Sequence, residues 1–215
     1  MRYHLLTSRT VINYFLPRIH ENPIGDDGLV KLVSGLVKLS SYMTTTVDAS
    51  EEDSPDAEVP VRLQLKMLDI GACGATDVGI REVAKLVASN IGLMTLSLTG
   101  NKDIGDDVWI EFGDALRTNS QIKSLELHHN GFGDAGTSAV VDGVRDSSTI
   151  TSLDLEGNRM EDAGALKVLD LLRTSSSLRS VQLQSGNNIS EEILAEIDEV
   201  MKSKKEMDDA ELTDI

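Results

Sequence analysis

A pattern of aliphatic residues that ends on an asparagine recurs along this chain at a nearly constant interval. In residues 122–130, IKSLELHHN, an isoleucine and two leucines precede Asn130 at fixed positions. The same frame surrounds three more asparagines and one cysteine: Cys73, Asn101, Asn158 and Asn187. The steps between these five positions are 28, 29, 28 and 29 residues. A unit of this length cannot bury its apolar face alone, so the units are expected to stack into one continuous core.

The residues inside one unit predict a strand, a turn and a helix. Alternating leucines, as in LEL at 125–127, send successive side chains to opposite faces of a strand. Segments such as IREVAKLVAS at 80–89 carry apolar residues at helical spacing. Each asparagine is expected to hydrogen-bond backbone groups of the turn. An aspartate in each turn is expected to cap the helix that follows; these are Asp26, Asp77, Asp106, Asp134 and Asp162.

The pattern LxxLxLxxN/C, followed by a Gly- and Asp-rich turn and a helix, resembles the leucine-rich repeat in its long, ribonuclease-inhibitor-like form. The resemblance spans about residues 16–200. It implies an α/β solenoid, a curved horseshoe segment with a parallel sheet on the concave face and helices on the convex face. It also implies protein binding as the usual function, without naming a partner.

We expect a single leucine-rich repeat domain over residues 1–215, with atypical ends and one insertion. Pro17 falls at a core leucine position, which indicates a terminal edge of the sheet. Residues 1–20, which contain arginines and no acid, would also suit a targeting segment. The predicted segments are an N-terminal capping repeat at 1–43, an acidic disordered insertion at 44–62, regular repeats at 63–187, a C-terminal capping helix at 188–205 and an acidic tail at 206–215.

The chain carries a formal net charge of −16, which makes nucleic acid and anionic membranes poor partners. A protein partner with a basic surface fits this charge, although the charge could also serve solubility alone. The single cysteine, Cys73, excludes an intrachain disulfide framework and is expected to be a small buried residue. No apolar run reaches the length of a membrane helix. We therefore expect a cytoplasmic protein, monomeric or part of a larger assembly.

Because the repeat frame is fixed, residues of the concave face can be named from the sequence. The candidate partner-binding residues are Lys66, Asp69, Ser97, Thr99, Lys123, Glu126, His128, Asp154, Glu156, Arg179, Gln182 and Gln184. Neighbouring strands lie ~4.8 Å apart, so four of these residues, Glu126, His128, Asp154 and Glu156, are expected to form one cluster. We interpret this cluster as an acidic patch for cationic side chains of a partner. A bound divalent cation is the alternative.

The sequence contains no HExxH, GxSxG or P-loop motif, and we assign no catalytic residue, cofactor or metal ligand. The leading hypothesis is a non-enzymatic protein–protein interaction module that binds through the concave sheet and its strand-end loops. One alternative is a GTPase-activating regulator, similar to the Ran GTPase-activating protein in repeat type and acidic character. Another is a cytoskeletal or axonemal component, since residues 186–205 look like the end of the tropomodulin repeat domain. Trp109 on a convex helix either covers core or anchors a partner.

Overall fold

The computed structural model describes residues 11–15, 18–45, 61–102 and 104–213. Strands and helices alternate along these residues, as the repeat predicts. In chain order they are β1 (Val11–Phe15), α1 (Gly25–Thr45), β2 (Val61–Leu65), β3 (Met67–Asp69), α2 (Asp77–Ala88), β4 (Thr95–Ser97), α3 (Asp106–Arg117), β5 (Ser124–Glu126), α4 (Asp134–Val144), β6 (Ser152–Asp154), α5 (Asp162–Thr174), β7 (Ser180–Gln182) and α6 (Glu191–Thr213).

Strands β3 to β7 form one open, parallel sheet in chain order. The register sets the central residues of these strands side by side, and all five are buried: Leu68, Leu96, Leu125, Leu153 and Val181. Helices α2 to α6 supply the other half of the core, because their apolar positions pack on the same face of the sheet. The residues that flank each central leucine therefore face the concave side. The predicted α/β solenoid is confirmed.

Trp109 belongs to this core. Its side chain is 0% exposed, and it meets the rings of Phe112 and Phe132 edge-on, at centroid distances of 5.8 and 4.8 Å. Such edge-to-face pairs stabilise aromatic clusters beyond the burial of their area. The interpretation of Trp109 as a core residue is confirmed, and the alternative that it anchors a partner is wrong, because the ring does not reach the surface.

The N-terminal unit lies against the first edge of the main sheet. Arg18 forms an isolated parallel bridge with Asp69, and the Ile19 N–H donates to the Asp69 carbonyl at 2.7 Å. Before it, β1 and β2 pair in a separate two-stranded parallel sheet. The sequence did not predict this small sheet, since Val61 was assigned to the acidic insertion. Pro17 and residues 46–60 of that insertion lie outside the described residues.

The C-terminal helix is longer than predicted. Helix α6 has 23 residues, against 11 to 13 in α2 to α5. The expectation of an acidic tail beyond residue 205 is wrong for residues 206–213, which are helical; EMDDAELT contains neither Gly nor Pro. Gln184 joins the last strand to this helix: its Oε1 accepts the Leu183 N–H at 3.2 Å and its Nε2 donates to Asp198 at 3.0 Å. Within the described residues, no helix is long and apolar enough to cross a membrane.

Candidate functional site

The asparagine of each regular repeat lies buried under the turn that follows its strand. Asn130 Nδ2 donates to the Leu127 carbonyl at 2.8 Å, and Asn130 Oδ1 accepts the backbone N–H of Asn101 at 2.9 Å. Asn158 Oδ1 accepts the N–H groups of Asn130 and Gly131 at 3.0 and 2.8 Å. Each asparagine therefore joins its own turn to the turn of the preceding repeat. The predicted backbone-bonding role is confirmed.

Cys73 occupies the asparagine position of the first regular repeat and is fully buried. It is not the acceptor for its own turn, because Asn101 Oδ1 accepts the Ala75 N–H at 3.1 Å. The same oxygen lies 3.8 Å from the Cys73 sulfur. Burial raises the pKa of the Cys73 thiol, which opposes the thiolate form that nucleophilic chemistry needs. Both observations agree with a structural role for Cys73.

The turn aspartates bond between repeats, which corrects the prediction that each caps its own helix. Asp134 is the first residue of α4, and its Oδ1 accepts the N–H groups of Glu161 and Gly164 at the start of α5, at 2.8 and 3.0 Å. Asp26 serves α2 in the same way. The reason is positional: a capping side chain belongs to the residue before the helix, and the residues there in α2 to α5 make no side-chain cap.

A glycine two positions after most of these aspartates makes the inter-repeat bond possible. A Cβ on Gly164 would lie 2.6 Å from Asp134 Oδ1, and a Cβ on Gly79 would lie 2.6 Å from Asp26 Oδ1. Burial alone would raise the pKa of Asp26, but hydrogen bonds from Thr76 and Gly79 outweigh it and lower that pKa. The ionised carboxylate of Asp26 is therefore the form that holds α1 to α2.

The concave face carries rows of polar side chains, ordered by the sheet register. Of the candidate binding residues, Lys123, Arg179, Gln182 and Gln184 are exposed, and most of the others are half-buried. Ser97 and Thr99 differ, since they are only 3% and 8% exposed. Their hydroxyls lie 3.1 Å apart, and Thr99 also contacts His128 at 3.2 Å. These two residues thus offer a partner little surface, contrary to expectation, because they bond to one another and to the next strand.

His128 and Asp154 link neighbouring strands on the concave face, as the register predicts. His128 Nδ1 lies 3.0 Å from Asp154 Oδ2, and Asp154 Oδ1 accepts the Glu156 N–H at 3.0 Å. Within the described residues, the carboxylates of Glu126 and Glu156 bond to no other side chain. Among those residues, no group of three or more His, Cys, Asp or Glu is arranged to hold a metal ion. The geometry favours the acidic patch, and its available carboxylates are those of Glu126 and Glu156.

Carboxylates on the convex helices, by contrast, are matched by arginines of neighbouring repeats. Arg145 pairs with Asp170 at 2.8 Å, and Arg81 pairs with Glu111 at 3.0 Å. Hydrogen bonds to these carboxylates raise the pKa of both guanidinium groups. Arg173 likewise pairs with Glu196 of α6. Charge on these parts of the convex face is therefore compensated between repeats.

Comparisons with known proteins agree with this geometry. A family model described as "Leucine Rich repeat" matches residues 118–141 and 146–169. Among solved structures, 51 chains match, and one is "Leiomodin-1 Actin-Binding Site 2 (ABS2)", with a TM-score of 0.54 and 15% identity over 62% of this chain and 93% of that chain. The chain is a leucine-rich repeat protein. No curated protein matches its sequence.

This leucine-rich repeat protein has a second surface that the sequence did not suggest. A groove of about 650 Å³ lies between α6, the end of α5 and the turn before β7. Its walls include Arg179, Lys204 and Met207, together with the paired Arg173 and Glu196. The groove was missed because part of its α6 wall was predicted to be an irregular tail. Its mixed charges do not indicate one class of ligand.

Proposed function

We propose that this leucine-rich repeat protein is a non-enzymatic protein–protein interaction module. It binds a protein with a basic surface through the concave sheet and its strand-end loops. The proposal rests on the contrast between the faces: convex carboxylates such as Asp170 pair with arginines, whereas the half-exposed Glu126 and Glu156 have no side-chain partner within the described residues. A net charge of −16 would also speed encounter with a basic partner.

Three narrower statements belong to this proposal. The repeats are of the ribonuclease-inhibitor-like subtype, supported by steps of 28 and 29 residues and by convex helices of 11 to 13 residues. Residues 1–215 form one repeat domain, supported by a main sheet whose strands follow chain order. The protein acts in the cytoplasm, alone or within a larger assembly, and keeps its single cysteine buried.

Affinity purification with mass spectrometry tests the concave site. The triple variant Glu126→Lys, Asp154→Lys, Glu156→Lys should lose the proteins captured by the wild type, because it turns an attractive field into a repulsive one. A matched variant changes charge equally at exposed acids elsewhere: Asp27→Lys, Asp146→Lys, Glu192→Lys. It should retain the partners, and circular dichroism should show both variants folded. Unchanged capture by the concave variant would refute the concave site.

A cytoskeletal role is the second candidate function. It is favoured by the long closing helix α6, whose first part lies in the segment that looks like the end of the tropomodulin repeat domain. The fold is also similar to a leiomodin-1 segment named for actin binding, although at 15% identity this likeness concerns the fold alone. Co-sedimentation with filamentous actin is the direct test. If the protein stays in the supernatant at micromolar actin, this candidate is eliminated.

A further inference from the structure

We infer that the concave face receives a single α-helix of its partner, laid across the strands, with acidic residues along one flank and basic residues along the other. This inference rests on the proposed function for the existence of a protein partner. It adds the partner's shape and charge pattern, which follow from the width of the face and from the placement of its charges.

The floor of the face is a row of small hydroxyl residues. Thr95, Ser124, Ser152 and Ser180 pair in register across β4 to β7, and all are half-buried. At β3 the row ends on Met67, whose sulfur lies 3.9 Å from the Arg18 guanidinium. The hydroxyl floor therefore forms a shallow trough about 14 Å long, from three strand spacings of ~4.8 Å. Met67 closes one end of it.

The two margins of the trough carry opposite charges. Lys66, Lys123 and Arg179 lie just before β3, β5 and β7, on every second strand. Glu126 and Asp154 lie at the other ends of β5 and β6. Three residues of strand separate Lys123 from Glu126, which is ~10 Å. This width suits a helix with side chains, ~10–12 Å across, whereas one extended strand, which needs ~4.8 Å, would leave a margin without contact.

The spacing of charges along each margin matches helical geometry. Cations on alternate strands are ~9.6 Å apart, close to the ~10.5 Å rise of seven helical residues. Acids seven residues apart on a helix would therefore meet Lys123 and Arg179. Glu126 and Asp154 lie on adjacent strands ~4.8 Å apart, which matches side chains three or four residues apart on a helix, at ~5–6 Å. Two basic residues one turn apart on the opposite flank would meet this pair.

A charge-sided helix can enter such a trough in only one direction. Reversing the helix while keeping the same face down exchanges its left and right flanks, which would set acid against acid. The margins therefore specify the orientation of the helix as well as its charge pattern. A peptide with its two flanks exchanged is consequently not a negative control, because it would bind in the reverse direction. A peptide with mixed flanks is the proper control.

Designed peptides test the inference on the full chain. The probe is an alanine-based helical peptide of about 18 residues, long enough to be helical alone. It has two Glu seven residues apart on one flank and two Lys four residues apart on the other. By fluorescence anisotropy in low salt, it should bind at least tenfold more tightly than a peptide of equal composition with mixed flanks. Equal binding of the two peptides would overturn the inference.

Two further comparisons separate shape from charge. A probe with a central proline cannot remain helical and should bind at least tenfold more weakly; equal binding would mean that the occupant is extended, which overturns the helix. Ser152→Phe fills the floor of the trough without changing its charge and should weaken binding at least tenfold. Ser148→Phe, at an exposed position outside the trough, should not. If these tests fail while Glu126→Lys, Asp154→Lys, Glu156→Lys still abolishes partner capture, the proposed function stands and the helical partner does not.

Discussion

Two rows of short polar side chains join the repeats, and they reach in opposite directions along the chain. The buried asparagines reach backward: Asn130 accepts a backbone N–H from the repeat before it, at Asn101. The turn aspartates reach forward: Asp134 accepts N–H groups from the next helix, at Glu161 and Gly164. Adjoining repeats can thus be tied twice, once by each of them.

The two rows differ in their access to water, and this difference sets their worth. Asn130 is only 1% exposed, so its removal leaves backbone groups unsatisfied where water cannot replace the amide. Asp134 is half-buried at the surface, where water can hydrate Glu161 and Gly164 in its absence. Only the aspartate row titrates, so only that row can make the joints between repeats depend on pH.

The largest effect is expected from Asn130→Ala. This change deprives the Asn101 N–H and the Leu127 carbonyl of their partners and should lower the free energy of unfolding by about 2–4 kcal/mol. Equilibrium unfolding in urea measures this loss. A cost no greater than that of removing an aspartate from the forward row would break the comparison.

Asp134→Ala should cost about 1–2 kcal/mol, the range found when a capping side chain is removed. Asp106→Ala is the matched control, because in the described part of the chain Asp106 makes no hydrogen bond to a neighbouring repeat. It should change the free energy of unfolding by less than about 0.5 kcal/mol. Equal losses for the two variants would show that the helix dipole, rather than the inter-repeat bond, accounts for the effect.

Cys73→Ala should lower the free energy of unfolding by about 1 kcal/mol at most, through lost apolar contact. The position stands in the asparagine row, but the Ala75 N–H is already accepted by Asn101, and this bond survives the change. The same urea titration applies. A loss as large as that of Asn130→Ala would mean that the sulfur contact with Asn101 matters more than its 3.8 Å length indicates.

The smallest effect concerns acid. The pKa of Asp26 is lowered in the folded protein, so its ionised form stabilises the fold above the unfolded pKa of about 3.9, and this stabilisation is lost as pH falls through the folded pKa. The melting temperature of Asp26→Asn should lie slightly below that of the wild type at pH 7. The two values should converge as the pH is lowered toward about 3. Curves that stay parallel over this range would contradict a role for the carboxylate charge.

Much of this fold follows from local period. The positions of Leu96, Leu125 and Leu153 predict strands, core and register, because one strand of each unit must lie beside the next. The same frame brought His128 next to Asp154. These features depend only on residues that recur in every repeat, and for that reason the sequence was sufficient.

The remainder depends on neighbours that the period does not specify. The forward reach of Asp134 depends on how close the next helix begins, and the burial of Ser97 and Thr99 depends on a histidine one strand away. The paired strands β1 and β2 combine segments that begin 50 residues apart, at Val11 and Val61, with no repeat relation between them. Specific contacts of this kind are visible only once the elements are in place.

The bond between Gln184 and the backbone of its neighbour bears on crowding. An open parallel sheet presents unpaired amides at its last strand, and these amides can template a strand from another molecule. Here the Leu183 amide is satisfied by Gln184, and Gln184 is held in turn by Asp198 of the closing helix. The same open architecture that admits a ligand along its inner curve thus resists growing into a filament from its far end.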